Sequence, residues 1–171
     1  MRAILQRVTS ASCVVDGVEV SRIGAGVAVL LGVFSGDTEV DAAYVVHRLL
    51  GTRLWPGADG RPWGASAASQ GLPLLVISQF TLAARTRKPK PDFARAAPPA
   101  AARELYERTL ALLAAGHPQG AAGVCAGVFQ AHMVMSLTND GPVTVVVDSR
   151  NKDDVLPGGA DAEGGEEAAW G

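Results

Sequence analysis

Apolar and polar residues alternate imperfectly from Ala3 to Val15, and the run stops at Asp16-Gly17. Such alternation predicts a half-buried strand. Asp-Gly between two apolar runs predicts a two-residue hairpin, with Val18–Ile23 as the return strand. Gly24-Ala25-Gly26 then turns the chain into Val27–Phe34, a run apolar on both faces and therefore expected to be a central strand. After Asp37-Thr38, which offers an N-cap, Ala42, Val45, Val46, Leu49 and Leu50 recur at helical spacing, predicting a helix to about Leu50.

Thr52–Trp55 reads as a short strand, and Pro56–Gln70, rich in Gly, Pro, Ala and Ser, as a loop. Leu72–Leu82 predicts a long strand. Arg85–Asp92 is basic and broken by prolines, so it is expected to be a loop. Pro98-Pro99 precedes Ala100–Ala115, whose Ala102, Leu105, Tyr106, Thr109, Leu112 and Leu113 predict a second helix, and proline is well tolerated where a helix starts. Val124–Gln130, His132–Leu137 and Val143–Asp148 complete the strands, and Asn139-Asp140-Gly141-Pro142 between the last two predicts a turn. The order of strands, helix, strands, helix, strands implies one α/β domain of layered sheets with two helices on one side. Residues 1–149 form that domain. Residues 150–171 make an acidic, Gly/Ala-rich tail without apolar period, expected to be disordered.

Composition sharpens this picture. Hydrophobic residues make up 48% of the 171 residues and aromatic ones only 5%, so the core must be built from Val, Leu, Ala and Ile. No segment resembles a signal peptide, and the longest apolar run is far too short to span a bilayer. A cytoplasmic protein is expected, with no membrane association. Cys13 and Cys125 lack metal-ligand spacing and read as buried thiols.

The formal net charge of −2 argues weakly against nucleic-acid binding. The tail, however, carries six carboxylates and two cations. Without it, 13 basic and 11 acidic residues remain. Four cations cluster in Arg85-Thr86-Arg87-Lys88-Pro89-Lys90, readable either as a solvated loop or as a phosphate-facing rim.

Residue types alone name no reaction. His47, His117 and His132 are scattered, with His47 and His132 expected to face solvent. No Gly-rich phosphate loop is present. Ser78 and Thr81 are hydroxyls at a strand end, where nucleophiles often sit, but no sequence neighbour offers an activating base. Satisfying local backbone groups is their alternative role.

Two segments then stand out together: Ser78-Gln79-Phe80-Thr81-Leu82 and Asn139-Asp140-Gly141-Pro142-Val143-Thr144. They resemble the two signature motifs of D-aminoacyl-tRNA deacylases. Gln6-Arg7-Val8, Leu31-Gly32-Val33 with Gly36-Asp37-Thr38, Asp92-Phe93 with Ala96-Ala97-Pro98-Pro99, and Gly127-Val128-Phe129 with Met133 follow in the expected order. The likeness covers residues 1–149. Pro89-Lys90-Pro91-Asp92-Phe93 stands where relatives often carry a Gly-Arg-Arg-Pro-Ser-Phe-like run.

The resemblance implies a layered β/β/α fold, mostly antiparallel, and a homodimeric hydrolase without a metal or other cofactor. Its substrate would be the ester linking a D-amino acid, or glycine, to the 3′-terminal adenosine of tRNA. Ser78, Gln79, Phe80 and Thr81 would line the catalytic pocket, with backbone N–H groups near Phe80 and Thr81 holding the scissile carbonyl. Gly141 and Pro142, joined by a cis peptide, would enter the partner subunit's active site. Arg7 would fix their geometry, Phe129 and Met133 would cradle the adenine, and Asn139 would belong to the substrate-binding set. The RNA's own 2′-hydroxyl would assist the attack. A relaxed-specificity deacylase with a trans Gly-Pro acting on L-alanyl-tRNA-Thr, and a non-catalytic tRNA-binding module, are the alternatives.

Overall fold

The computed structural model describes residues 1–151, so all but the first two residues of the expected tail lie outside the described part. In chain order the first elements are β1 (Arg2–Val15), β2 (Val18–Ile23), β3 (Gly26–Gly32), α1 (Glu39–Gly51), β4 (Arg53–Trp55) and β5 (Ala65–Ser66). They are followed by β6 (Leu74–Ser78), α2 (Pro99–Gly116), β7 (Val124–Ala126) and β8 (Val134–Asp148).

β1 organises the sheet because it is long enough to serve several neighbours. Its first half pairs antiparallel with β3, from Arg2↔Gly32 to Val8↔Gly26, and its second half with β2, from Ala11↔Ile23 to Val15↔Val18. Along its other edge β8 runs antiparallel over nearly the whole length. β6 joins β3 in parallel, and β7 joins β6 in parallel, giving a six-stranded mixed sheet in the order β2-β1-β3-β6-β7 with β8 on β1. β4 and β5 form a separate small ribbon.

Strand periodicity sorts the core into two clusters. Val27, Val29, Leu31, Leu74 and Val76 face the helices and pack against Val45 and Leu49 of α1 and Tyr106 and Leu113 of α2. Their alternates Ala28, Leu75 and Ile77 face the opposite way, onto Val8, Ala11, Cys13 and Ile23, with Met133, Met135 and Leu137 closing the side. β1 therefore contributes Ala3 and Leu5 to one cluster and Val8, Ala11 and Cys13 to the other. Burial on both faces is why these strands read as nearly continuous apolar runs.

Local chemistry explains most element ends. Asp16 and Gly17 both take positive φ, 49° and 79°, as a two-residue hairpin of the mirror-image type requires. α1 opens with a capping box, in which the Asp41 carboxylate accepts from the Thr38 N–H at 2.9 Å. α2 opens on proline.

Four expectations need correction. Asn139–Pro142 is not a hairpin turn: its flanks belong to one strand, β8, and both pair with β1. The strand expected over Leu72–Leu82 ends at Ser78, because Phe80–Ala83 coils into a 3-10 turn although its side chains stay apolar. The loop expected over Pro56–Gln70 contains β5 and a 3-10 turn at Ala68–Gln70. The strand expected over Val124–Gln130 stops at Ala126.

Candidate active site

β6 ends at Ser78 on the rim of a cavity of about 750 Å3. Ser78, Gln79 and Phe80 form one wall, and Phe129–Met133, the link between β7 and β8, forms another. The start of α2, from Pro98 to Tyr106, covers a third side. Among the described residues no Asp, Glu, Lys or Arg lines this cavity, and His132 is the sole imidazole on it. The site is therefore apolar and uncharged, suited to a flat base or an acyl group held by main-chain groups.

The walls are packed in detail. The amide of Gln79 donates to Thr81 Oγ1, so this hydroxyl is engaged locally and Thr81 is not itself among the lining residues. The N–H groups of Phe80 and Thr81 open a 3-10 turn and so have no acceptor within it. The Phe80 ring is 58% exposed and meets Phe93 edge-on at 5.1 Å between centroids. Met133 and Ile77 close so tightly on Gly127 that a Cβ there would lie 2.5 Å from the Met133 sulfur.

Phe129 is packed against the core as well as lining the cavity. Tyr106 lies at 5.7 Å from its ring and the Arg103 guanidinium at 4.8 Å. Arg103 also donates to the Gln130 side chain at 3.3 Å, tying the loop to α2, while Gln130 itself sits at φ 65°. The Tyr106 hydroxyl donates to the Val76 carbonyl at 2.9 Å, and burial pushes its phenol pKa upward.

The second group of expected residues lies elsewhere on the chain. In the β1–β8 ladder Gln6 pairs with Thr144 and Val8 with Asn139, so Asp140–Val143 bulges outward opposite Arg7 alone. The Gly141–Pro142 peptide in this bulge is cis, and both residues are exposed. Arg7 Nε lies 3.2 Å from the Asp140 carbonyl oxygen and 3.1 Å from its carboxylate, while Nη1 donates to the Leu54 carbonyl. Trp55 lies 5.9 Å from the guanidinium. Gly141 has φ 121°, and a Cβ there would meet Val143 Cγ2 at 2.9 Å and Arg7 Nη2 at 3.3 Å. Asn139 accepts from the Gln6 amide at 3.5 Å. Neither Gly141 nor Pro142 lines the cavity. One chain thus carries a cavity and, apart from it, a Gly-Pro bulge.

His47 is exposed on α1, as expected. His132 is exposed but stands at the cavity rim rather than away from it. His117 is buried, with Nε2 3.0 Å from the Leu72 carbonyl and Nδ1 accepting the Gln119 N–H. Cys13 is buried and its thiol pKa is raised by that burial; Cys125 is half-buried. Among the described residues no three of His, Cys, Asp and Glu converge as a metal site, and no helix is long and apolar enough to cross a membrane. Asp140, Leu54, Phe93 and Arg103 escaped the sequence reading. Only Asp140 and Phe93 carried a signal, by lying inside motif segments.

With this geometry in place, the likeness to known proteins is specific. Residues 4–148 match the family described as D-Tyr-tRNA(Tyr) deacylase. A D-aminoacyl-tRNA deacylase of Yarrowia lipolytica is 44% identical over 88% of this chain and 99% of its own length. One of Desulfitobacterium hafniense is 46% identical over 87% and 97%. Among solved structures, a c-Myc DNA unwinding element binding protein superposes with a TM-score of 0.82 at 35% identity, covering 86% of this chain and 98% of that one. A probable eukaryotic D-amino acid tRNA deacylase shares the fold, with a TM-score of 0.74 at 18% identity. The match spans nearly every described element, from β1 through the cavity walls to the end of β8, and the chain belongs to the D-Tyr-tRNA(Tyr) deacylase family.

Proposed function

We propose that this protein is a D-aminoacyl-tRNA deacylase, hydrolysing the ester between a D-amino acid and the 3′-terminal adenosine of tRNA. The observation that carries the reading is the Gly141–Pro142 bulge, which Arg7 grips through Asp140. It belongs to a chain 44% and 46% identical to two D-aminoacyl-tRNA deacylases.

An enzyme that must accept many side chains and reject one hand cannot select through the side chain. Main-chain oxygens near Cα can make that choice. The carbonyls of Gly141 and Pro142 receive the α-amino group and Cα of a D-residue, and the Cβ of an L-residue would run into them. Glycine has no Cβ to clash, so glycyl-tRNA mischarged on tRNA-Ala is also hydrolysed. The adenine lies against Phe129 and Met133, in the uncharged cavity. Ser78, Gln79 and Phe80 line the place of the scissile ester, and Thr81 contributes through its main chain, the N–H groups of Phe80 and Thr81 stabilising the developing oxyanion. Attack of water is assisted by the 2′-hydroxyl of the same ribose, which accounts for a wall without an acid–base pair.

The protein acts as a homodimer in which Gly141–Pro142 of one subunit enters the cavity of the other. Support comes from their separation within one chain. Among the described residues β8 pairs with β1 alone, and it presents Val134 and Val146, both more than half exposed, on an open edge. Residues 1–149 are the catalytic domain, and its place of action is the cytoplasm, where charged tRNA is used.

The test is deacylation of matched D- and L-tyrosyl-tRNA. Loss of the D-ester with an intact L-ester is expected. Equal hydrolysis of both removes the Gly141–Pro142 gate. Hydrolysis of L-alanyl-tRNA-Thr would mark a relaxed deacylase, and salt-sensitive binding without turnover a tRNA-binding module.

A further inference from the structure

We propose that the hairpin at residues 85–92 is a phosphate clamp for the single-stranded 3′ end of the substrate tRNA, gripping it through Arg87, Lys88 and Lys90. The proposal rests on the deacylase reading and adds to it how the polyanion is held.

The cavity itself cannot hold RNA electrostatically. Among the described residues its lining contains no Lys or Arg, and the whole chain carries a formal charge of −2. Affinity for a charged tRNA must come from cations placed outside the cavity but close to it. Arg103 stands at the Phe129 wall but is paired with Glu107, whereas the hairpin brings three cations together beside Phe93. Arg85 and Asp92 close its neck with reciprocal main-chain bonds of 2.8 and 3.0 Å, and their side chains pair at 2.9 Å. The next residue, Phe93, lines the cavity and rests against Phe80 on its mouth.

Arg87, Lys88 and Lys90 are exposed on the far side of the neck, and among the described residues no carboxylate pairs with them. Pro89 and Pro91 restrict the backbone between and beside them, so the three cations project from a stiffened tip. Lys90 is separated from Phe93 by three peptide steps, which places its Cα within roughly 11 Å of the cavity mouth. A nucleotide chain whose last base occupies the cavity and whose preceding phosphates leave over the Phe93 wall passes beside these cations. A merely solvated charge run would not need a neck pinned by both main chain and side chains, nor an aromatic anchor on the cavity wall.

The variant Arg87→Ala/Lys88→Ala/Lys90→Ala, compared with wild type, tests the clamp on two substrates: full-length D-tyrosyl-tRNA, and 3′-O-D-tyrosyl-adenosine, which has no phosphate. Once three cations no longer neutralise single-strand phosphates, the slope of log KM against log salt for tRNA should fall by about 2. Between 50 and 200 mM salt, wild-type KM should thus rise about 20-fold more than that of the variant. The kcat on tRNA, and hydrolysis of the adenosine ester, should stay within about two-fold. An unchanged KM and salt slope on tRNA, with wild type active, overturns the clamp and leaves the deacylase reading intact. Equal damage to both substrates overturns it too, because the hairpin would then act by shaping the Phe80 rim. A wild-type protein inert on both substrates overturns the clamp and the reading beneath it.

Discussion

Arg7 and Asp140 face each other across the gap in the β1–β8 ladder, and a single nitrogen, Arg7 Nε, approaches both the main-chain oxygen and the carboxylate of Asp140. The same guanidinium reaches the Leu54 carbonyl in β4. A side chain on the straight strand thus sets the shape of the bulge on its neighbour. Two nitrogens of one rigid guanidinium, Nε and Nη1, thus serve acceptors on two different strands.

Arg7→Ala should lower kcat for D-tyrosyl-tRNA by about ten- to hundredfold, the scale of about 1.5–3 kcal/mol for hydrogen bonds to a charged group. Arg7→Lys should recover little, because an ammonium cannot span Asp140 and Leu54. Circular dichroism showing an intact fold alongside either loss would separate the bulge from general unfolding. Full activity in both variants would show that the bulge needs no anchor.

Gly141→Ala introduces a methyl group 2.9 Å from Val143 Cγ2 at a φ that side chains disfavour. Thermal melts should show a loss of about 1–3 kcal/mol. Deacylation should fall much further than stability, since the altered residue would be the chiral gate itself. A variant that is both stable and active would remove Gly141 from that role.

Thr81→Ala removes a hydroxyl that Gln79 already engages. If the RNA assists the attack, kcat should drop less than about tenfold, the loss of one modest hydrogen bond. Collapse to the uncatalysed rate with the fold intact would instead make Thr81 the nucleophile.

Tyr106→Phe removes the hydroxyl that donates to Val76 beneath the cavity. Stability should fall by about 1 kcal/mol. Because burial raises the phenol pKa, it stays protonated through neutral pH, and the pH–rate profile should not move. A shifted alkaline limb would show that the phenol takes part in proton transfer.

Asp41 gives a pH prediction for stability. Burial alone would raise its carboxyl pKa, but hydrogen bonds from Ser149 and Thr38, and the nearby terminal ammonium, hold it below the ordinary carboxylate range. The folded state therefore binds this proton more weakly than the unfolded chain does. The stabilisation is complete above the ordinary value of about 3.9 and is lost as pH falls through the lower folded value. Asp41→Asn should cost about 1 kcal/mol at pH 7. Its melting temperature should then fall less than that of wild type between pH 5 and pH 3; parallel falls would assign the acid sensitivity to other carboxylates.

Much of the architecture was legible because local and tertiary preferences agree. β2 matches Val18–Ile23 residue for residue, Asp16-Gly17 turns as its composition requires, and α1 ends one residue beyond the last apolar position of its stripe. The failures share one cause. Gly-Pro ordinarily punctuates a strand, and nothing near Asn139–Val143 reveals that a single distant strand pairs with both flanks. Likewise the apolar run after Ser78 continues while the backbone coils, because Leu82 and Ala83 still pack inward. Ser78, Gln79, Phe80, Phe129 and Met133 do converge on one cavity. That Arg7 works through Asp140 and Leu54 depends on a bulge register that sequence spacing does not encode.

The ladder on either side of Asp140–Val143 is zipped to the same partner, so these four residues hang from two fixed posts. Changes at its exposed Gly141 and Pro142 are confined between ladder pairs that stay in place, although the close fit around Gly141 limits what the segment accepts. If deacylation bears out the proposed gate, this segment is the exchangeable tooth at which evolution retunes which acyl groups are refused, while the ladder around it stays paired.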